Sequence, residues 1–177
     1  PGVIATYDRH GRIHEAGSAQ ILEDAYTAWQ THVNSGATAL LIAADTATVT
    51  ALNHRAHTDR VTDGHVDDTR TVRLGDGLDA GPGDVVVARR NDRRQLLPGG
   101  GHLRNGTRAT ISATHDDGSV DVTIDGSAAQ SRAVLTLSAV YVRNDLELGY
   151  ATTVHRAQGA TVDHAHLLVT PAMTREA

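Results

Sequence analysis

Side chains able to contact an anion are concentrated in residues 149–163, directly after a short apolar segment. Hydroxyl, imidazole, amide and glycine positions follow one another closely there, at Thr152, Thr153, His155, Gln158 and Gly159. A strand that turns into a helix at such a point presents hydroxyls, an imidazole and open backbone N–H groups to a phosphate. A second apolar strand is expected at 165–169. The pattern predicts a phosphate-contact loop in an α/β protein.

Nucleotide hydrolysis by a P-loop protein requires a lysine that holds the β- and γ-phosphates, in the pattern Gly-x-x-x-x-Gly-Lys-Ser/Thr. This chain contains no lysine, and all 16 of its Lys and Arg positions are arginine. That absence excludes both a P-loop lysine and Schiff-base chemistry on lysine within these residues. The chain begins at Pro1 and its one methionine is Met173, so we expect an excised or processed piece of a larger protein.

Cysteine is absent, which excludes a disulfide framework and a thiolate metal site. No apolar run approaches the about 18 residues of a membrane span, and no signal peptide is visible. We therefore expect a soluble, cytoplasmic protein with no membrane partner. Four of the 11 histidines form two pairs of near neighbours on one helix or strand face, His54 with His57 and His164 with His166. Without cysteine or a His-Glu-x-x-His pattern, solvated or packed histidines are favoured and no metal is predicted.

Positive charge is confined to one short stretch of a chain whose formal net charge is −5. Residues 1–80 hold 11 acids and 6 arginines, residues 111–177 hold 8 acids and 4 arginines, and residues 81–110 hold 2 acids and 6 arginines. Local charge, rather than net charge, attracts a backbone phosphate. The stretch predicts a DNA-backbone or regulatory surface, with Arg90 and Asn91 as the favoured contacts. The alternative is a solvated hairpin with a local Arg–Asp pair.

The first part of the chain has the alternation of helix and buried strand that is typical of an α/β layer. A short extended piece is expected at 3–7. A helix capped by Ser18 and stopped at Gly36 precedes an apolar run at 38–44 of the length of a strand buried on both faces. Asp45 or Thr46 caps a second helix that ends near Gly64.

The pattern changes near residue 69. Short β-prone runs separated by turn residues occur at 71–74, 84–89, 107–114, 119–125 and 133–137. Asp117-Gly118 predicts a hairpin between two of them. Several short strands at this spacing predict a small barrel of SH3-like size, inserted between two halves of an α/β domain. The predicted limits are a connecting segment at 1–17, a first half at 18–68, the insert at 69–142 and a second half at 143–177.

Four separated stretches resemble, in the same order, superfamily-1 DNA helicases of the RecD and TraI-like branch. Residues 41–55, with Leu-Asn-x-Arg, resemble motif IV, and residues 83–92 with 103–107 resemble the β insert of the second motor lobe. Thr-x-His-x-x-Gln-Gly-x-Thr within 149–163 resembles motif V. The likeness is strongest to the helicase half of conjugative relaxases of the TraA and TrwC type. It implies a RecA-like parallel-sheet lobe interrupted by a small antiparallel SH3-like β-barrel.

The resemblance also implies residue roles. In the family, motif V contacts single-stranded DNA, which gives Thr152, Thr153 and His155 a place on the DNA track. A hydroxyl there bonds a phosphate oxygen without reading the base. For His155, capping the turn or packing is the alternative.

Positions at the nucleotide cleft follow from the same resemblance. It places Gln158 and Gly159 at the nucleotide cleft, Gly159 allowing close backbone approach; a plain helix turn is the alternative. Asn53 and Arg55 lie in the region that approaches the cleft, where Arg55 would sense a γ-phosphate; a solvated helix face is the alternative.

Cofactors and partners are likewise implied by the family. The intact parent would bind ATP and Mg²⁺ between this lobe and the missing N-terminal motor lobe, and none is expected on this chain alone. Residues 174–177 resemble the lead into motif VI and stop before its arginine. We therefore expect this chain alone not to hydrolyse ATP, and to bind single-stranded DNA weakly and without sequence preference.

The expected function is that of part of an ATP-dependent 5′–3′ DNA helicase in conjugative DNA transfer. Three alternatives stay open on the sequence. The lobe could belong to a RecD-like DNA-repair protein, or it could be a non-catalytic interaction module that kept the fold of a helicase lobe. A metal-dependent hydrolase is the third, and elemental analysis for zinc or manganese would identify it.

Overall fold

The computed structural model describes residues 3–10, 13, 17–97, 100–124 and 134–169. The helices in these residues are α1 (Val3–Arg9), α2 (Ser18–Asn34), α3 (Thr46–Thr62), α4 (Ala139–Asp145) and α5 (Val154–Ala157). The strands are β1 (Ala39–Ala43), β2 (Val72–Arg73), β3 (Asp79–Ala80), β4 (Val85–Ala88), β5 (Asp92–Leu96), β6 (His102–Leu103), β7 (Arg108–Thr114), β8 (Val120–Ile124), β9 (Val134–Leu137), β10 (Leu146–Leu148), β11 (Ala151–Thr153) and β12 (His164–Leu167).

A three-stranded parallel sheet in the order β11-β1-β12 confirms the mixed α/β fold. Its central strand β1 is almost wholly buried, because α2 and α3 both pack on it. This double cover explains why the run is apolar at nearly every position instead of alternating. The core beside it contains Tyr26, Trp29 and Tyr150, which are each at most 2% exposed. Scarce aromatic residues are thus concentrated around one sheet.

The ends of α2 and α3 follow from residues with specific backbone roles. Asp45 caps α3, and its carboxylate accepts a hydrogen bond of 2.8 Å from the backbone N–H of Thr48. Gly36 and Gly64 follow the two helices with φ near +86° and +75°, a region that L side chains rarely adopt. The predicted caps need one adjustment, since Gly17 rather than Ser18 holds the N-cap position of α2.

The expectation of an extended segment at 3–7 is wrong, because these residues form α1. A strand needs a neighbouring strand for its backbone N–H and C=O groups, whereas a helix satisfies them within itself. No strand in the described part of the chain pairs with this segment. The helix is therefore the conformation that meets its hydrogen-bonding requirement.

The insert contains a five-stranded antiparallel sheet in the order β10-β4-β7-β8-β9. All five predicted β runs contain a strand, and the hairpin at Asp117-Gly118 joins β7 to β8 as predicted, with Gly118 at φ +82°. Closure into an SH3-like barrel stays a prediction. Two short antiparallel pairs form besides this sheet, β2 with β3 and β5 with β6, and of these four strands the sequence predicted β2.

The two sheets are joined by one continuous piece of chain. Strand β10 pairs with β4 in the antiparallel sheet, and β11 pairs with β1 in the parallel sheet. Between them lies Gly149, where a Cβ atom would meet a Val87 methyl at 2.9 Å. The antiparallel strands thus extend to Leu148, past the predicted limit of the insert at 142, while the predicted domain limits themselves stay predictions.

A cluster of three imidazoles joins α2 to the edge strand β12. The ring of His32 stacks on that of His164 with centroids 3.6 Å apart, and its Nδ1 lies 3.0 Å from Nε2 of His166. A hydrogen bond between two imidazoles requires one unprotonated ring nitrogen. Burial, with the nearby His32 and His164, lowers the pKa of His166 below its ordinary value. His166 therefore resists protonation when the chain is folded.

We expect acid to weaken this contact. A histidine whose pKa is lower in the folded chain takes up its proton first in the unfolded chain, so stability falls as pH drops below about 6.5. Urea unfolding at pH 7.5 and pH 5 is expected to show a smaller pH-dependent loss for His166→Gln than for the unsubstituted chain. His65→Gln, at an exposed position, serves as the control. Identical pH slopes for the chain and His166→Gln would contradict this role.

Candidate nucleic-acid interface

The predicted phosphate-contact loop lies at the carboxyl end of the parallel sheet. Thr153 ends β11 and is opposite Ala43, the last residue of β1, and Asp45 then begins α3. In open α/β sheets, ligands bind in the crevice outside the carboxyl ends of the strands. The structure therefore brings the loop to the edge where such a fold receives a ligand.

Two hydroxyls in this loop have no intramolecular partner among the described residues. Thr152 is 5% exposed, and its Oγ1 is buried without a hydrogen bond. Thr153 occupies the N-cap position of α5, yet its side chain makes no capping bond. Most buried polar groups are satisfied, so an orphaned hydroxyl beside an open one indicates a place where an external acceptor or donor binds.

The remaining loop residues face solvent. His155, Gln158 and Gly159 are exposed, and Gly159 adopts φ +83° directly after α5. Helix α5 spans only four residues. The imidazole, the amide and the glycine backbone are therefore accessible to a ligand together with Thr153.

Asn53 fixes the start of this loop from inside the fold. Its Oδ1 accepts hydrogen bonds from the backbone N–H groups of Tyr150 and Ala151, at 3.1 and 2.7 Å. Its Nδ2 donates to the carbonyls of Leu148 and Ala151, at 3.4 and 3.2 Å. With 3% of its surface exposed, Asn53 acts on the loop by holding its backbone. Its predicted place at the nucleotide cleft stays a prediction.

A buried carboxyl group joins α3, the insert and the loop. Asp84 is fully buried and accepts hydrogen bonds from the Tyr150 hydroxyl at 2.6 Å and the Gly81 backbone N–H at 2.8 Å. His57 Nδ1 lies 2.8 Å from the same group. This bond to Asp84 raises the pKa of His57, while burial and then Asp84 raise the pKa of Tyr150. Tyr150 thus remains a donor.

Arg55 is held at the surface by residues of the helix pair. It forms two hydrogen bonds with the Glu23 carboxylate, at 2.6 and 2.9 Å, and its guanidinium lies 3.8 Å from the centroid of the Tyr26 ring. The bond to Glu23 raises the pKa of Arg55. Its predicted sensing of a γ-phosphate stays a prediction and would require release from Glu23.

The arginines of the insert divide into two groups. Arg90 pairs with Asp145 at 2.9 Å, and the side chain of Asn91 accepts a hydrogen bond from the backbone N–H of Asn105. Both predicted contacts are thus engaged within the chain. In contrast, the exposed side chains of Arg93, Arg94 and Arg104 form no ion pair within the described part of the chain. These three, on and beside the β5–β6 pair, define the basic arm.

Three other arginines contact Glu147 or Gly149 beside the loop, and this arrangement was not apparent from the sequence. Arg89 Nε and Arg156 Nη1 each lie 2.7 Å from Oε2 of Glu147, and Arg108 donates to the carbonyl of Gly149 at 2.7 Å. The partners come from β4, β7, β10 and α5, which are distant in sequence. A sequence shows how charges alternate along one strand, but not which side chains meet across different strands. These contacts therefore gave no signal in the sequence.

In the described part of the chain, neither a metal site nor a surface cleft coincides with the predicted contact residues. No group of three or more His, Cys, Asp or Glu side chains there is arranged to hold a metal ion. Two surface clefts, each of about 430 Å³, are lined by residues such as Arg70 with Arg143, and His54 with His57. Neither contains a predicted contact residue. None of the described helices is long and apolar enough to cross a membrane.

Replacing Asn53 with alanine should destabilise the fold. The substitution leaves buried backbone groups at 148–151 without partners, which corresponds to a loss of about 2–4 kcal/mol in the free energy of unfolding. Urea unfolding measures it. Asn105→Ala, at an exposed side chain, should change this value by less than about 0.5 kcal/mol. Equal effects of the two substitutions would show that the amide does not hold the loop.

Comparison with known proteins finds relatives that match nearly the whole chain. No protein-family model matches the chain. A probable conjugal transfer protein TraA of Sinorhizobium fredii (strain NBRC 101917 / NGR234) is 29% identical over 175 residues, which is 98% of this chain and 15% of that protein. The conjugal transfer protein TraA of Rhizobium radiobacter is 31% identical over 178 residues, covering 97% of this chain and 15% of that protein.

Two solved structures are similar to part of the chain. The structure of Bacteroides Pif1 bound to ssDNA has a TM-score of 0.45 and 17% identity, covering 71% of this chain and 33% of that one. The Pif1 helicase from Candida albicans has a TM-score of 0.41 and 14% identity, covering 71% of this chain and 38% of that one. The chain spans about 15% of the length of the curated relatives that it matches. Over nearly its whole length the chain is similar to one segment of these TraA conjugal transfer proteins.

Proposed function

We propose that this chain is the second motor lobe of an ATP-dependent 5′–3′ DNA helicase that acts in conjugative DNA transfer. It contributes part of the track for single-stranded DNA and one wall of the ATP cleft. The observation that carries the proposal is the pair of threonine hydroxyls without partners, Thr152 and Thr153, beside exposed His155 at the carboxyl end of the parallel sheet. The match to TraA proteins along nearly the whole chain supports the conjugative role.

The chemistry of the loop suits a motor that moves on any sequence. A hydroxyl and an imidazole each form one hydrogen bond with a phosphate oxygen and do not read base edges. Phosphate contacts of this kind carry no information about the base sequence, so the binding does not depend on sequence. Thr153 and His155 thus serve as backbone contacts. Thr152, buried beneath them, provides a hydroxyl for the same backbone or for an ordered water.

The basic arm supplies the long-range attraction. Arg93, Arg94 and Arg104 are exposed, and no carboxylate of the described chain neutralises them. The arm is the part of the insert best suited to bind a phosphate backbone. Arg90 and Asn91, the contacts favoured by the sequence, would first have to leave Asp145 and the turn at Asn105.

The ATP cleft of the intact parent would use the exposed side of the same loop. Gln158 and Gly159 are accessible and fit a contact with the nucleotide, Gly159 because no side chain blocks its backbone. Bound ATP and Mg²⁺ would supply the free energy for movement. This chain would hold and orient one side of the nucleotide, and a second lobe with a P-loop lysine would hold the phosphates. The chain alone should therefore bind DNA but not hydrolyse ATP.

Replacing Thr153 and His155 together with alanine should weaken binding to single-stranded DNA. Loss of two phosphate hydrogen bonds, each worth about 1 kcal/mol, predicts a decrease in affinity of roughly 10- to 30-fold. Fluorescence anisotropy with labelled oligo-dT at low salt measures it. The control Thr71→Ala/His65→Ala changes the same residue types at two exposed positions, one directly before β2 and the other shortly after α3. No binding by the unsubstituted chain would favour the protein-interaction module instead.

The basic arm should contribute more than Arg90 to the salt dependence of DNA binding. Arg93→Ala/Arg94→Ala should reduce the salt dependence of oligo-dT binding by about 0.7 in log–log slope for each lost phosphate contact. Arg90→Ala, which breaks a pair within the chain, should leave that slope nearly unchanged. The measurement is anisotropy titration at several salt concentrations. A larger change for Arg90→Ala would assign the contact to the residue favoured by the sequence.

A further inference from the structure

We propose that Glu147 is a positioning residue that connects the β insert to the phosphate-contact loop by orienting Arg156, a third phosphate ligand of that loop. The inference rests on the proposed binding of single-stranded DNA. It extends that binding to Arg156, at an unspecified position of the motif, and to Glu147, which precedes the motif. It starts from one carboxylate oxygen. Oε2 of Glu147 lies 2.7 Å from Nε of Arg89 and 2.7 Å from Nη1 of Arg156.

The two arginines belong to different parts of the fold. Arg89 follows β4 of the insert, and its backbone N–H donates to the carbonyl of Asp145 at 2.7 Å. Its side chain is 13% exposed and that of Glu147 is 19% exposed. Arg156 lies on α5, directly after His155, and is 50% exposed. The carboxylate therefore joins a buried arginine of the insert to an accessible arginine of the loop.

The buried half of this arrangement is rigid. Glu147 is opposite Val87 in the pairing of β10 with β4, and the neighbouring Gly149 has no room for a Cβ atom against Val87. Arg108, from β7, donates to the carbonyl of Gly149 at 2.7 Å. A long side chain that is held at a fixed point binds a ligand with a smaller entropy loss than one that is mobile. Glu147 gives Arg156 that fixed point.

The accessible half retains capacity for a ligand. An arginine has five N–H donors, and Glu147 receives a hydrogen bond from one of those of Arg156. Arg89 and Arg156 carry two positive charges against the single negative charge of Glu147. A phosphate at Thr153 and His155 would meet Arg156 on the same short helix. Displacement of the insert would move Glu147, and with it the direction of Arg156.

A double-mutant cycle tests the proposal. We expect Arg156→Ala to weaken oligo-dT binding and to lower the salt slope by about 0.7, the value for one phosphate on a single strand. Glu147→Gln should weaken binding by roughly 2- to 12-fold, the effect of releasing one immobilised side chain, with the salt slope unchanged. In the Arg156→Ala background, Glu147→Gln should have no further effect. The control is Asp116→Asn, which breaks an exposed pair with Arg70.

Three results would overturn the proposal. Glu147→Gln could strengthen binding, which would make Glu147 a competitor of the phosphate. It could weaken binding equally with and without Arg156, which would mean that it supports only the fold. Arg156→Ala could leave both the affinity and the salt slope unchanged, which would remove Arg156 from the interface.

A measurement without DNA separates this proposal from the proposed function. Hydrogen exchange at the amides of 154–158 should become faster in both Glu147→Gln and Arg156→Ala, and stay unchanged in Asp116→Asn. If the unsubstituted chain does not bind oligo-dT, the proposed function fails, while hydrogen exchange still reports whether Glu147 holds Arg156. If oligo-dT binds and hydrogen exchange does not change, the positioning role of Glu147 fails and the proposed function stands.

Discussion

The buried carboxyl group of Asp84 is the contact on which the arrangement of the molecule depends. It accepts hydrogen bonds from the Tyr150 hydroxyl, at the start of the loop, and from the backbone N–H of Gly81 in the insert. It also contacts Nδ1 of His57 on α3. A buried polar group stabilises a fold only when its hydrogen bonds are all made, and loss of one partner leaves it unsatisfied at considerable cost. One side chain thus ties three parts of the chain to a common point.

The path of the chain explains why that point matters for the loop. Residues 146–153 leave the antiparallel sheet as β10 and enter the parallel sheet as β11, and the bond of Tyr150 to Asp84 lies between them. Asn53 holds the next backbone groups from the opposite side. Hydrogen bonds consequently hold the first residues of the loop, while its later residues are exposed. Exposed polar groups on a backbone held in this way are preorganised for a ligand.

Charge follows the same division into a fixed base and an open surface. Arg89 and Arg156, the second of them in the loop itself, share Glu147, so these charges are paired. On the basic arm, the exposed arginines have no carboxylate partner within the described residues. Paired charges set geometry, whereas unpaired exposed charges provide attraction that salt screens. A chain that is acidic overall can therefore present a local cationic surface.

The sequence by itself determined the features that depend on near neighbours. The apolar run at 38–44, the cap at Asp45 and the turn at Asp117-Gly118 were all predicted correctly, because periodicity, capping and turn chemistry act over a few residues. The order of motif residues around His155 likewise pointed to TraA-type proteins. Tertiary structure alone decided which polar groups are already used. Asn53 is enclosed by backbone groups, Arg90 is paired, and Glu147 joins two arginines from separate elements. Such partners come from strands far apart in the chain, so only the folded packing determines whether a charged or polar side chain is engaged or available.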